Sequence, residues 1–400
     1  MNRNPLRWPL VGLLLLILLE LARVYLIMPM PGSQLDTAAD LSRVGVAYWL
    51  HQYGPWVRAM LLLLLITPVF NAYTKPLKRG SRWLITGLIG VYAIVFYMVN
   101  QKMMADHMFL QPVTKRLVPM SQNKIPSNKL VLGILENGEA RAYPLQLIGY
   151  HHQVRDTVGG KPILVTYCTV CRTGRVFDPV VNGKPVTFRL VGMDHFNAMF
   201  EDDSTGSWWR QATGEAIMGP LRGTALTELT ARQMTLAEWV AEHPTTLVMQ
   251  PDPAFREEID SLATYDTGVR RGKLTRRDSA SWKPKSWVVG LLDGKAAKAV
   301  DWNELVNKRV VNTVVGRQPV AVALAPDQQT FRTFNRLVNS RLLTFKPAAN
   351  GELVDKETGT VWTKTGLAVS GTLVGQQLAP VQAYQEFWHS WQSFHPTTTH

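Results

Sequence analysis

Two cysteines, Cys168 and Cys171, are the only thiols in a chain of 400 residues. They lie in the stretch Tyr167-Cys168-Thr169-Val170-Cys171-Arg172-Thr173-Gly174, directly after the apolar run Ile163-Leu164-Val165. Three kinds of chemistry use a Cys-x-x-Cys pair in this setting. The first is metal binding. A tight turn followed by a glycine presents two thiolates to one ion, and further ligands come from elsewhere. His152 is the first choice, followed by His195 and Met199. Two thiolates with an imidazole or a thioether suit zinc or Cu(I), so copper or zinc handling is expected. The second is thiol redox exchange, in which a thiolate favoured by Arg172 or His152 acts as the nucleophile. Thioredoxin-type sites place the motif at the start of a helix; here Thr173-Gly174 and a strand pattern follow. The third is a small structural disulfide that pins a hairpin tip. All three stay open at this point.

The pair needs elements to hold it, and an internal repeat shows which. The segment 213–246 aligns without a gap on 365–398, at an offset of 152 residues. The shared positions include Gly214/Gly366, Gly219/Gly371, Trp239/Trp391 and His243-Pro244/His395-Pro396. Upstream, LVLGILENGEARAYPLQL matches WVVGLLDGKAAKAVDWNEL, and the second copy starts near Trp287. Residues found in both copies serve architecture, and those of the first copy alone are the site candidates. Cys168 falls on Ala325 and Cys171 on Gln328. Each copy reads as strands with Asn-Gly hairpin turns at Asn137-Gly138 and Asn182-Gly183, closed by a helix over Leu236 to His243. Val131–Leu135 with Ala140–Tyr143, and Arg175–Val181 with Val186–Val191, are the expected hairpins. The aspartates at 202 and 203 resemble a cation loop, but Asp202, Thr205 and Gly206 recur in the thiol-free copy, so a turn is expected. Asp156 either orients His152 through a ring N–H or serves a turn, as its counterpart Asn312 suggests. Glu215 is a further candidate acid.

The amino-terminal hundred residues differ in kind. Three apolar runs, within Trp8–Met28, Pro55–Tyr73 and Trp83–Asn100, have the length and composition of membrane spans. Trp8, Trp56, Tyr73 and Trp83 suit their interfaces. Arg3 and Arg7 precede the first run, and Lys75, Lys78, Arg79 and Arg82 separate the second from the third. The positive-inside rule then places the amino terminus in the cytoplasm and everything after about Lys102 outside it. Glu20 and Arg23 are expected to pair within the first span. The expected architecture is therefore membrane-anchored α+β in the plasma (inner) membrane. It comprises three N-terminal transmembrane helices (1–105) and a duplicated, β-rich extracytoplasmic or periplasmic domain. That domain holds a first repeat (106–252), a basic linker (253–286) and a cysteine-free repeat (287–400). The net charge is +13, but the cluster from Arg270 and Arg271 to Arg277 lacks aromatic interleaving, so it reads as solvated linker. Nucleic acid is not expected as a partner. The expected partners are the lipid bilayer and an envelope or redox protein. A non-enzymatic scaffold with a disulfide staple is the remaining class. There is no phosphate loop, no Gly-x-Ser-x-Gly elbow and no His-Glu-x-x-His.

NGEARAYPL, the histidine before VxDxxGG, VTYCxxCxTGxxFD, TGSxWxQxTGEAIxGPLxG and the HP after a Trp-bearing helix together resemble the domain-of-unknown-function family 3179. The resemblance covers about Leu130 to Asp252, with a degenerate second copy. It implies that His152, Cys168, Cys171 and the stretch from Thr205-Gly206-Ser207 to Gln211 form a characteristic site. The family pattern has Pro-Leu between the cysteines, where this chain has Thr169-Val170.

Overall fold

The computed structural model describes residues 6–28, 41–270 and 272–400; Arg3 and Arg271 lie outside them. Three helices come first: α1 (Arg7–Ile27), α2 (Leu41–Thr74) and α3 (Arg79–Met98). All three are long and apolar enough to cross a membrane. Their apolar residues face all round rather than along one stripe. Leu13, Leu16, Leu65, Ala72 and Ile85 pack between the helices, while Leu63, Leu64, Trp56 and Trp83 point outward. The expected Glu20–Arg23 pair is present at 3.0 Å and is larger than expected. Arg58 Nε donates to Glu20 Oε1 at 2.6 Å, and Asn100 Nδ2 donates to Oε2 at 3.1 Å. The cluster lies at the level of Trp56 and the end of α3, so it sits towards one end of the bundle.

The domain docks on that same end. Gly192 lies so close to α1 that a Cβ there would stand 2.5 Å from the Ile27 carbonyl oxygen. Tyr48 and His51 of α2 pack edge-on against Trp208. The first fourteen or so residues of α2 therefore run beyond the apolar span to meet the domain. Arg7 and the Lys75–Lys78 connection are at the opposite end.

The domain is built mainly from antiparallel strands. Its first half runs β1 (Leu117–Pro119), β2 (Leu130–Glu136), β3 (Glu139–Pro144), α4 (Leu145–His151), β4 (Gln153–Val158), β5 (Lys161–Cys168), β6 (Thr173–Phe177), β7 (Phe188–Asp194), β8 (Asn197–Asp202), β9 (Trp208–Arg210), β10 (Ala216–Met218), β11 (Arg232–Thr235), α5 (Leu236–Glu242) and β12 (Leu247–Met249). These form sheets β1-β12-β3-β2-β11, β4-β5-β6 and β10-β9-β8-β7. The second half runs β13 (Trp287–Asp293), β14 (Ala296–Asp301), α6 (Trp302–Lys308), β15 (Val310–Val315), β16 (Gln318–Leu324), β17 (Phe331–Asn335), β18 (Phe345–Pro347), β19 (Leu353–Asp355), β20 (Val361–Trp362), β21 (Ala368–Ser370), β22 (Ala383–Phe387) and α7 (Trp388–Phe394). Its sheets, β14-β13-β22, β15-β16-β17 and β18-β19-β20-β21, follow the same order.

Local chemistry recurs with the order. The Asp202 carboxylate accepts from Thr205 N–H and Trp209 Nε1, and Asp355 accepts likewise from Thr358 and Trp362. Both are turns. Each closing helix lays a tryptophan flat on a strand glycine. A Cβ on Gly133 would stand 2.3 Å from Trp239, and one on Gly290 2.1 Å from Trp391. Gly290→Ala is therefore expected to cost about 1–3 kcal/mol by overpacking, read as a lowered unfolding midpoint.

Two expectations need correction. The basic stretch 253–286 is not a solvated linker, because Phe255, Ile259, Leu262 and Tyr265 are buried in the first half's core. Nor does Arg175–Val181 form one strand of a hairpin. The strand stops at Phe177 before Asp178-Pro179 and pairs with β5, and only Val180–Val181 and Lys184–Pro185 flank the Asn182-Gly183 turn.

Candidate functional site

β5 is buried along most of its length and delivers Cys168 at its end, where Cys168 pairs with Thr173 of β6. The intervening Thr169–Arg172 loop turns with Arg172 in the left-handed region, at φ 57°. His152 ends α4, also left-handed at φ 59°, and its carbonyl takes the Tyr167 N–H at 2.9 Å. That bond ties the end of α4 to β5, so His152 and Cys168 line one small cavity. The second half covers the other side of the loop. Phe387 N–H donates to Cys171 O at 3.0 Å, and Thr173 Oγ1 lies 3.2 Å from Ser390 Oγ. Lys285 Nζ donates to Val170 O at 2.6 Å and lies 3.0 Å from His389 Nε2.

Both cysteines are buried and neither is in a disulfide. As a thiol, Cys168 donates to Phe196 O at 3.3 Å. Burial pushes its pKa up, but the Cys171 thiol and the N–H groups of Cys171, Ala198 and Val170 more than offset this, and the net direction is down. Cys171 goes the other way, well above the usual thiol range, through burial and the neighbouring Cys168 sulfur. The two sulfurs are thus inequivalent, and Cys168 is the easier of the two to ionise. Burial brings Lys285 down to about 8, against the pull of the two sulfurs. Burial likewise takes His152 to about 4 and His389 to about 3, so both imidazoles are neutral at pH 7.

The remaining candidates are placed elsewhere. His195 holds Asp194 through Nδ1 at 2.6 Å, and Asp194 also accepts from Arg210. Met199 packs with Ile27, Trp208 and Met218 on the helix side of β8, whereas Ala198 and Phe200 face the cysteines. Strand alternation separates them. Asp156 accepts from Tyr143 Oη and Lys115 Nζ, while His152 Nδ1 faces Tyr150 O. Asp156 therefore does not orient His152. The Arg172 guanidinium is directed to Gln385, the Tyr265 and Asp266 carbonyls and the Trp287 ring. The cation acting on the sulfurs is Lys285 instead. Glu215 lies by Arg210 at 3.7 Å. Gln211, within the expected stretch, bridges Thr166, Thr173 O and Asn197 beneath the loop. Among the described residues, no three His, Cys, Asp or Glu side chains form a group able to hold a metal ion.

The family model described as a protein of unknown function, DUF3179, matches residues 111–398. The chain belongs to this family. The match runs through both halves, well past the Leu130–Asp252 region that carries the motifs. No curated protein and no solved structure matches the chain.

Lys285, His389 and Ser390 fall outside the expected candidates, because Lys285 lies in the stretch that reads as linker and the other two in the copy without thiols. The repeat did contain a signal for two of them. His389 stands where the first copy has Ala237, and Ser390 where it has Glu238. A residue that departs from its counterpart in either copy is informative. Lys285→Met is expected to raise the Cys171 pKa further and slow any step in which Cys171 must ionise. Stopped-flow exchange should then show the second phase slowed roughly tenfold, a loss of about 1.4 kcal/mol. Lys285→Arg should restore most of that rate if charge alone matters.

Proposed function

We propose that this protein is a membrane-anchored thiol redox protein whose working group is the Cys168–Cys171 pair. The inequivalence of the two sulfurs carries the reading. Against a disulfide, the Cys168 thiolate attacks one sulfur, a mixed disulfide forms and the first leaving thiolate departs. Cys171 then gives up its proton, its sulfur attacks Cys168, and the second substrate thiolate is released. The substrate gains two electrons and the protein gains one disulfide. The Lys285 cation beside the pair favours the ionised form of Cys171.

We also read the three apolar helices as membrane spans. Arg7 and Lys75–Arg82 share one end of the bundle and the domain sits at the other, so the positive-inside rule supports a cytoplasmic amino terminus. The domain then faces the extracytoplasmic or periplasmic side of the plasma (inner) membrane, an oxidising compartment in which a reversible pair has a use. The recurring element order and the matching Asp202/Asp355 and Gly133/Gly290 arrangements support an origin by duplication. The partners on this reading are the bilayer and an envelope redox protein or small redox molecule, not nucleic acid.

Copper or zinc binding is the second reading, favoured by His152 beside Cys168. One experiment separates the readings: thiols and metal are counted on the full-length protein after oxidised and reduced dithiothreitol. Interconversion of two thiols with one disulfide, without stoichiometric metal, supports redox exchange. One equivalent of metal that disappears in Cys168→Ser/Cys171→Ser supports the metal site. Two thiols that neither exchange nor bind metal contradict both.

A further inference from the structure

We infer that the second half carries a binding site for a small organic acid, one that has a hydroxyl or ammonium group beside its carboxylate. The site stands where the first half has its cysteine, and the inference is independent of what the cysteines do.

The repeat locates it. At the offset that puts Ala325 on Cys168, Arg309 falls on His152. The structure keeps that geometry. Arg309 follows α6 in the left-handed region, at φ 62°, and its carbonyl takes the Leu324 N–H at 2.8 Å, as that of His152 takes Tyr167. Asp355 pairs with Phe345 across β19 and β18, as Asp202 pairs with Phe188 across β8 and β7. Counting from these pairs, Pro347 and Gly351 stand where Leu190 and Ala198 wall the first cavity. Arg309, Ala325, Pro347 and Gly351 all line one cleft of about 230 Å³, whereas the cavity beside Cys168 has about 10 Å³. The difference follows from the walls. Met28, Ala105 and Phe109, beside the helices, close the first cavity, and no residue of that part of the chain lines the second. Pro326, Pro347 and Asn350 of the second lining are exposed, so this cleft opens to water.

Its charges select the occupant. Arg309 is half-buried and Nη2 donates to Ala325 O at 2.8 Å; among the described residues the guanidinium has no carboxylate partner. Arg332 and Lys364 also line the cleft, but Glu238 and Glu242 of α5 hold them at 2.6 to 2.9 Å. Arg309 is therefore the cation left to meet an anion, and its planar fork suits a carboxylate. Glu352 lines the same cleft, and among the described residues its carboxylate is neither hydrogen-bonded nor ion-paired. It repels a bare anion, a phosphate dianion most of all, and accepts from a hydroxyl or ammonium group. Val310, Leu324 and Leu353 supply apolar wall for a short hydrocarbon part. The cleft exceeds the ~30 Å³ share of one water several times and falls below the roughly 300 Å³ at which drug-sized pockets begin, so the ligand is small.

The test is calorimetric titration of the full-length protein in detergent micelles with probes of one carbon skeleton: valine, 2-hydroxy-3-methylbutanoate and 3-methylbutanoate. Either or both of the first two are expected to bind about tenfold or more tightly than the third, which lacks the donor. The one that binds identifies the donor as ammonium or hydroxyl. Arg309→Gln should weaken that binding about tenfold or more, with the unfolding midpoint and the free thiols unchanged. Glu352→Gln, at a side chain with no partner to lose, should strengthen 3-methylbutanoate binding by removing the like charge; it decides the matter if Arg309→Gln lowers the midpoint. Binding of none of the probes overturns the inference. So does inorganic phosphate that competes as well as the best probe, or binding that both variants leave intact.

Discussion

Serine at position 168 is expected to remove exchange, and serine at 171 to convert the protein into a trap. With an aryl disulfide probe, Cys168→Ser should lose on the order of 100-fold or more in rate, because the remaining sulfur is buried and held as a thiol. Cys171→Ser should still release one equivalent of aryl thiol, then stop, with the second aryl group held on Cys168. The asymmetry follows from what surrounds each sulfur. Cys168 faces three backbone N–H groups and the Cys171 thiol, whereas Cys171 is raised by burial and by the neighbouring Cys168 sulfur. The pH dependence has a fixed sign. The folded pKa of Cys168 is depressed, so the thiolate's contribution to stability is present above the unfolded thiol pKa and is lost as pH falls through the folded value. The first-phase rate should fall over the same acid limb. A staple or scaffold role predicts a different pattern, in which both serine variants lose stability alike and neither forms a trapped intermediate.

Arg175→Met is expected to destabilise the domain by about 3–5 kcal/mol, because it strands the buried Glu386 carboxylate. Arg175 Nη2 donates to Glu386 Oε1 at 2.5 Å, and the guanidinium lies 3.6 Å from the centre of the Tyr384 ring. The arginine is on β6 and the glutamate on β22, so the pair joins the two halves beside the cysteine loop. Burial opposes the charge on Arg175, but Glu386 and Glu228 outweigh it and raise the pKa. Pairing Arg175→Met with Glu386→Leu should recover most of the loss, since an apolar pair of similar volume is often as stable as a buried ion pair. Denaturant unfolding of the two single variants and the double variant gives the coupling directly. If the Arg175→Met cost stays below about 1 kcal/mol, the halves are not held together by this pair.

The contact between the halves was not legible in the sequence, and the reason is physical. An internal repeat specifies two similar units, but it does not say which loop of one meets which helix of the other. The structure makes that contact reciprocal. The Thr169–Arg172 loop lies on β22 and α7, and the Ala325–Thr330 loop lies on Thr235 and α5, where Arg332 meets Glu238 at 2.8 Å and Glu242 at 2.6 Å. His389 reaches the cysteine loop through this exchange, at 3.1 Å from Val170 O. What could be read in advance came from local signals. The Asn137-Gly138 turn joins β2 and β3 as expected. Trp239 lies on Gly133, and Trp391 lies on Gly290 in the same way. His152 beside Cys168 was implied by the family motifs. Met199 and His195 are candidates by residue type and by their absence from the second copy, and neither criterion contains strand alternation or the Asp194–His195 bond. The stretch 253–286 misled through its charge, because Phe255, Ile259, Leu262 and Tyr265 are spaced among the polar residues that hid them.

The reduction potential of the Cys168–Cys171 pair tests the central claim most directly. The full-length protein is equilibrated in graded ratios of reduced and oxidised dithiothreitol, and the disulfide fraction is read by mass after acid quenching. Stabilising the Cys168 thiolate favours the reduced form, so the account predicts a reversible two-electron transition at a potential above about −300 mV. A transition below that value identifies a structural staple and contradicts the account. Thiols that form no disulfide at any ratio contradict it as well.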